Sequence, residues 1–61
     1  MRIKDVIDKW CVVKRGYWER YGKRAFVERI CDSEEEARYV KNSLERCDGI
    51  DFVIIKGGKE I

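Results

Sequence analysis

The sequence predicts an α+β fold of order ββαβ, in which one helix packs on one face of a three-stranded antiparallel or mixed sheet. Three observations lead to this prediction. β-branched and aromatic residues, which strands favour, are concentrated between residues 10 and 31. Apolar residues then recur at helical spacing over about 33–47, and a short apolar run follows at about 51–56. Because no linker or repeat interrupts the chain, residues 1–61 are predicted to form a single small domain.

The first predicted element is a β-hairpin over about 10–31. A three-residue loop at 20–22 ends in a glycine, which adopts the left-handed conformation that such a loop needs. A turn there brings together opposite charges, and a cation beside an aromatic ring, which are favourable cross-strand partners. The partners in this register are Lys14 with Glu28, Trp18 with Arg24, Gly16 with Phe26, Val12 with Ile30, and Cys11 with Cys31.

The helix over about 33–47 is predicted from its start and from its apolar stripe. Ser33 can cap the first turn, and Glu36 stands three residues later, where a capping box places its acidic partner. Gly49 follows the helix at the position where a left-handed residue ends many helices. The stripe that would face the sheet consists of Ala37, Val40, Leu44 and Cys47.

Three shorter segments complete the predicted fold. Apolar residues at helical spacing in 3–10 indicate a short N-terminal helical turn. The apolar run at about 51–56 is predicted to be a strand inside the sheet. The tail 57–61 begins with two glycines, so we expect it to be frayed.

The composition limits the classes of protein to be considered. The charged fraction is 43%, and Gln, Thr, His and Pro are absent, a bias that resembles hyperthermophile proteins. A net charge of +2 is too small by itself to indicate a nucleic-acid partner. The N-terminus is charged where a signal peptide is apolar, and no apolar run is long enough to span a membrane. We therefore expect a cytoplasmic protein with no membrane partner.

The sequence contains no recognisable catalytic arrangement. There is no histidine to act as a general base, no nucleophile in a familiar setting and no phosphate-binding glycine motif. The three cysteines lack the spacing of a metal site. We expect no enzyme, no cofactor, no metal and no small-molecule substrate. Cys11 and Cys31 are predicted to form either a disulfide or two buried free thiols, and Cys47 has no partner in either case.

The predicted hairpin has two faces, and one helix can cover only one of them. If the helix covers the face of small odd-numbered residues, the other face leaves more apolar surface exposed than is usual for a monomer. Our main expectation is therefore a non-enzymatic interaction module that forms a homodimer through this aromatic sheet face. A competing interpretation is that the tryptophans are buried in the core and that the charged residues form an ordinary solvated surface. The expected interface residues are Trp10, Val12, Trp18, Phe26 and Ile30.

The alternative function is binding of DNA or RNA by the hairpin tip. Residues 14–29 contain six basic residues and two acidic ones. Cations there would contact phosphates, and flat rings would contact bases. The expected contact residues are Lys14, Arg15, Trp18, Arg20, Lys23 and Arg24.

A strand, a basic tip at 22–24, Phe26 and an acidic helix start at 32–37 follow one another in this chain. This order resembles the sheet-reading DNA-binding domains at the N-termini of phage-type integrases. The resemblance covers 10–44, just over half of the chain. It implies DNA contact through the sheet. Those domains have three strands before the helix, whereas here an apolar strand follows it.

Overall fold

The computed structural model describes all 61 residues and contains one four-stranded sheet, two α-helices and two 3-10 turns. The strands pair in the order β2-β1-β3-β4, and all three pairings are antiparallel. The α+β class is confirmed, with one strand and one helix more than predicted. In chain order the elements are a 3-10 turn at Ile3–Asp5, β1 at Trp10–Lys14, α1 at Arg15–Tyr21, a 3-10 turn at Gly22–Arg24, β2 at Arg29–Cys31, α2 at Glu34–Asp48, β3 at Phe52–Lys56 and β4 at Lys59–Glu60.

The predicted tight hairpin over 10–31 is wrong, because its middle is helical. α1 begins directly after β1, and the second 3-10 turn leads back towards β2. Gly22 does have a positive φ of 58°, but it ends α1, and its N–H donates to the Trp18 carbonyl. The physical reason is tertiary: the Trp18 ring packs against the core from α1, and such packing stabilises a helix that is too short to form alone.

The register between β1 and β2 differs from the prediction by one residue. Trp10 pairs with Cys31, and Cys11 pairs with Ile30. A shift of one residue moves every side chain of a strand to the opposite face of the sheet. Cys11 and Cys31 therefore lie in different core layers, and both thiols are free and buried. Of the two alternatives predicted for this pair, the structure has the two buried free thiols and not the disulfide.

α2 forms where it was predicted. The Ser33 hydroxyl accepts a hydrogen bond from the Glu36 N–H at 3.1 Å, and the Glu36 carboxylate accepts one from the Asp32 N–H at 3.2 Å. The first bond satisfies an N–H group that the first turn of a helix leaves free, and the second ties the residue before the N-cap to that turn. Gly49 ends the helix with a φ of 70°. The local start and stop signals in the sequence therefore fix both ends of this element.

The C-terminal residues form a hairpin with β3, so the prediction of a frayed tail at 57–61 is wrong. Ile55 pairs with Glu60, and the two-residue turn between β3 and β4 consists of Gly57 and Gly58. Their φ values are 62° and 77°. A two-residue turn of this hand suits the twist of an antiparallel hairpin and strongly favours glycine at both positions.

The core lies on both faces of the sheet. On one face α2 packs over β1, β2 and β3, with half-buried Trp10 beside it, and the buried residues there are Val12, Cys31, Ala37, Phe52 and Ile54. On the other face the N-terminal turn and α1 pack over the sheet, with half-buried Trp18 beside them, and the buried residues are Ile3, Cys11, Val13, Ala25, Val53 and Ile55. The expectation of one uncovered aromatic face is therefore wrong.

Candidate functional site

Basic and acidic residues are unevenly distributed between the two halves of the chain. Residues 1–31 contain nine of the fourteen basic residues and four of the twelve acidic ones, so their net charge is +5. Residues 32–61 have the remaining five basic and eight acidic residues, a net charge of −3. The layer that contains α1 is consequently basic, whereas α2 carries five acidic and three basic residues.

A cleft opens on the basic side of the molecule. It is lined by three aromatic and two arginine side chains and has a volume of about 450 Å³. The three rings remain 41% to 55% exposed, although large aromatic side chains usually become mostly buried. We call this feature the aromatic cleft, and its lining residues are Arg2, Tyr17, Tyr21, Arg24 and Phe26.

One wall of the aromatic cleft is held by backbone hydrogen bonds between the N-terminus and the segment before β2. Arg2 and Phe26 form an antiparallel bridge. On either side of it, the Ile3 N–H donates to the Ala25 carbonyl at 3.1 Å and the Val27 N–H donates to the Met1 carbonyl at 2.9 Å. Directly opposed residues present their side chains on the same side, and the Arg2 guanidinium lies 4.9 Å from the centre of the Phe26 ring.

α1 provides the other wall. Tyr17 and Tyr21 are four residues apart and therefore lie on the same side of the helix. Their ring centres are 6.2 Å apart in an edge-to-face arrangement. The Lys14 ammonium lies 5.2 Å from the Tyr17 ring, and the Arg20 guanidinium lies 6.0 Å from the Tyr21 ring. Each ring of the cleft thus has a cation near it.

Four cations around the aromatic cleft have no acidic partner. Arg2, Arg20, Lys23 and Arg24 are all exposed, and none of them takes part in an ion pair. Their charges are therefore available to an anion from outside the chain. The five ion pairs of the protein are Lys9–Asp32, Lys14–Glu28, Arg15–Glu60, Arg38–Glu34 and Lys41–Glu45.

The six residues predicted to contact nucleic acid do not form one group. Lys14 and Arg15 are engaged in ion pairs of 3.8 Å and 3.5 Å, and Trp18 is half-buried against the core. The other three, at positions 20, 23 and 24, are exposed cations. Of these, only Arg24 lines the cleft. Arg20 lies beside the Tyr21 ring, and Lys23 extends to Gly58 in the β3–β4 turn.

The five residues predicted to form a dimer interface do not share a surface. Val12 is fully buried under α2. Trp10 and Trp18 lie on opposite sides of the sheet, and the Lys56 ammonium covers the Trp10 ring at 4.5 Å. Phe26 and Ile30 are the exposed members of the set. The predicted interface is therefore wrong as a continuous surface, and homodimerisation itself stays a prediction.

Sequence reasoning missed three residues of the cleft, Arg2, Tyr17 and Tyr21. The two tyrosines have helical spacing, so the signal was present once 15–21 is taken as a helix. Arg2 had no local signal, because its position depends on a bridge to Phe26, far along the chain.

Other chemically reactive groups do not form a second site. Burial raises the pKa of the Cys11 and Cys31 thiols, which favours their unreactive protonated form. No group of three or more His, Cys, Asp or Glu side chains is arranged to hold a metal ion. None of the helices combines the length and the apolar character needed to cross a membrane.

Comparison with protein-family models, with curated proteins and with solved structures finds no match for this chain. The resemblance to integrase N-terminal domains does not extend to the fold, because 15–24 is helical where that resemblance implies sheet. The features that bear on function are therefore the aromatic cleft and its charges.

Proposed function

We propose that this protein binds nucleic acid through the basic layer formed by the N-terminus, α1 and the turn that follows it. The observation that supports this function best is the aromatic cleft, where three half-exposed rings stand among cations that have no acidic partner. Cations attract the phosphate backbone, and exposed rings provide surfaces on which bases stack.

Arginine is well suited to both contacts. Its planar guanidinium binds phosphate through two parallel hydrogen bonds and also stacks on flat rings. The unpaired cations at this site include three arginines, at positions 2, 20 and 24. The carboxylates of an acidic peptide would pair with the cations but would not stack on the rings. Every nucleotide carries both a phosphate and a flat base, so nucleic acid fits the whole site better.

The distribution of charge also gives the complex an orientation. The acidic residues of α2 lie on the opposite side of the sheet from α1. Repulsion between these carboxylates and phosphates directs a strand to the basic layer. A cytoplasmic location, where nucleic acid is encountered, belongs to the same proposal.

Fluorescence anisotropy with a labelled oligonucleotide of mixed sequence tests this function. If Arg2, Arg20, Lys23 and Arg24 all contact phosphates of a single strand, the logarithm of the binding constant falls against the logarithm of salt concentration with a slope of about −3. Reversing two charges, in Arg20→Glu with Lys23→Glu, should weaken binding by roughly tenfold or more. Failure to bind at low salt would refute the proposal.

A matched pair of single substitutions separates the site from general charge effects. Arg24 lines the cleft, whereas Arg46 lies at the end of α2, and both are exposed and outside every ion pair. Arg24→Glu and Arg46→Glu change the net charge equally. The proposal requires a much larger loss of affinity from Arg24→Glu, and equal losses would contradict it.

A further inference from the structure

We infer that the aromatic cleft accepts one unpaired nucleobase, so that the preferred ligand is a single strand rather than a duplex. This inference rests on the proposed function and adds to it the kind of strand and the place of the base. In a duplex both faces of each base are stacked on neighbouring bases. Contact with a protein ring therefore needs a base that has left the stack.

The walls of the cleft present rings from two directions. Phe26 stands on the wall held by the backbone bridge, and Tyr17 and Tyr21 stand on α1. A volume of about 450 Å³ lies within the range of small-ligand sites, roughly 300–1,000 Å³. The lining contains no acidic side chain. The cleft is thus of a size and a polarity that suit a base and its attached phosphate.

The polar groups of the cleft are free to bind such a ligand. The hydroxyl groups of Tyr17 and Tyr21 take part in none of the side-chain hydrogen bonds of the protein, so they are available to the edge of a base. The Arg2 guanidinium stacks on Phe26 at 4.9 Å. It can remain beside an inserted base or turn to a phosphate. Nearby Asp5 accepts a hydrogen bond from the Arg2 backbone N–H at 3.2 Å.

The cleft also exists before the ligand arrives. The bridge between Arg2 and Phe26 is flanked by backbone hydrogen bonds of 3.1 Å and 2.9 Å, and α1 is anchored by Trp18, which packs against the core. Little further ordering is needed on binding, which reduces the entropic penalty. A preformed cleft of this kind favours selection of a base over simple attraction to phosphates.

The test compares two strands with the same phosphate backbone. One is an abasic strand of about nine nucleotides, within the usual size range of single-strand sites. The other is the same strand with a single 2-aminopurine base at its centre. The strand with the base should bind roughly 5- to 150-fold more tightly. The fluorescence of 2-aminopurine should fall as the base stacks on the rings.

Variants locate the base in the cleft. Phe26→Leu keeps an apolar side chain but removes the ring, so it should abolish most of the advantage of the base. Tyr21→Leu should act in the same direction from the other wall. The control is Tyr39→Leu, which removes an aromatic ring that is 72% exposed on α2 and should leave the advantage unchanged.

Each outcome has a separate meaning. Equal affinity for the two strands would overturn the inference and leave the proposed phosphate binding intact. If neither strand bound at low salt, both this inference and the proposed function would be refuted. A base advantage that survives Phe26→Leu and Tyr21→Leu would place the base elsewhere and would also overturn the inference. Stronger binding to a duplex than to the single strand would contradict it as well.

Discussion

Replacement of Glu45 by alanine should destabilise the protein through a single backbone group. Hydrogen-bonded pairs alternate along antiparallel strands, and the Arg15 N–H donates to the Asp51 carbonyl at 3.0 Å. The N–H of Phe52 therefore points away from β1. It donates to the Glu45 carboxylate at 3.0 Å, and Lys41 lies 3.1 Å from the same oxygen. Glu45 thus ties α2 to the start of β3.

The size of the effect follows from the type of bond. A hydrogen bond to a charged group contributes about 1.5–3 kcal/mol, and its loss would leave the N–H of a buried residue without a partner. We expect Glu45→Ala to lower the free energy of unfolding by about 2 kcal/mol. Unfolding entropy is about 2.1 cal/mol/K per residue, so for a chain of 61 residues the melting temperature should fall by about 15 °C. Glu45→Gln keeps a hydrogen-bond acceptor, so it should lower the free energy of unfolding by less than Glu45→Ala does.

The effect should also depend on pH. The Phe52 N–H, followed by Lys41, lowers the pKa of Glu45. A carboxyl group whose pKa is lowered by folding stabilises the protein fully above its unfolded pKa, about 4.3, and loses that contribution as the pH falls through the folded pKa. The difference in stability between the wild-type protein and Glu45→Ala should therefore shrink below about pH 4.

Urea denaturation followed by circular dichroism, at neutral and at acid pH, measures these differences. Glu35→Ala is the matched control, because Glu35 is an exposed acid of α2 that makes no hydrogen bond or ion pair; we expect its effect to stay within about 0.5 kcal/mol. Equal losses from Glu45→Ala and Glu35→Ala, or a loss that grows on acidification, would show that the bond from the Phe52 N–H to Glu45 does not stabilise the fold.

Three further predictions concern other parts of the fold. The exposed Cys47 should react rapidly with a thiol reagent, and the two buried cysteines only after unfolding; mass spectrometry showing a disulfide in the folded protein would contradict this. Gly58→Ala should lower the free energy of unfolding by about 1–2 kcal/mol because of its φ of 77°, whereas Gly57→Asn should be nearly neutral. If these two variants had similar melting temperatures, the glycine turn between β3 and β4 would be contradicted. If the chain dimerises through its exposed apolar residues, sedimentation should show a dimer that Ile30→Lys separates, and a wild-type monomer at high micromolar concentration would remove the prediction.

The parts of the fold that were predicted correctly are those with local signals. The ends of α2 follow from Ser33, Glu36 and Gly49, whose capping contacts involve only nearby residues. The apolar run of β3 is likewise a local feature. These elements could be located without any knowledge of what packs against them.

The parts that were missed depend on tertiary contacts. The sequence of α1 contains a glycine and three aromatic residues, which have modest helix propensity. The helix is stabilised by Trp18, which packs against the core. The same holds for the candidate site. The basic character of the segment that contains Arg20 and Arg24 could be recognised from the sequence. The wall formed by Arg2 and Phe26 could not, because it arises from a bridge between distant segments.

Titration of the ¹⁵N-labelled protein with a short single-stranded oligonucleotide at low salt locates the binding surface in one experiment, because it reports on every backbone amide at once. We predict that the largest chemical-shift changes occur at Arg2, Tyr17, Tyr21, Arg24 and Phe26, while the amides of α2 stay nearly unchanged. Changes centred on α2, or no changes at all, would contradict the account of the aromatic cleft as the site where nucleic acid binds.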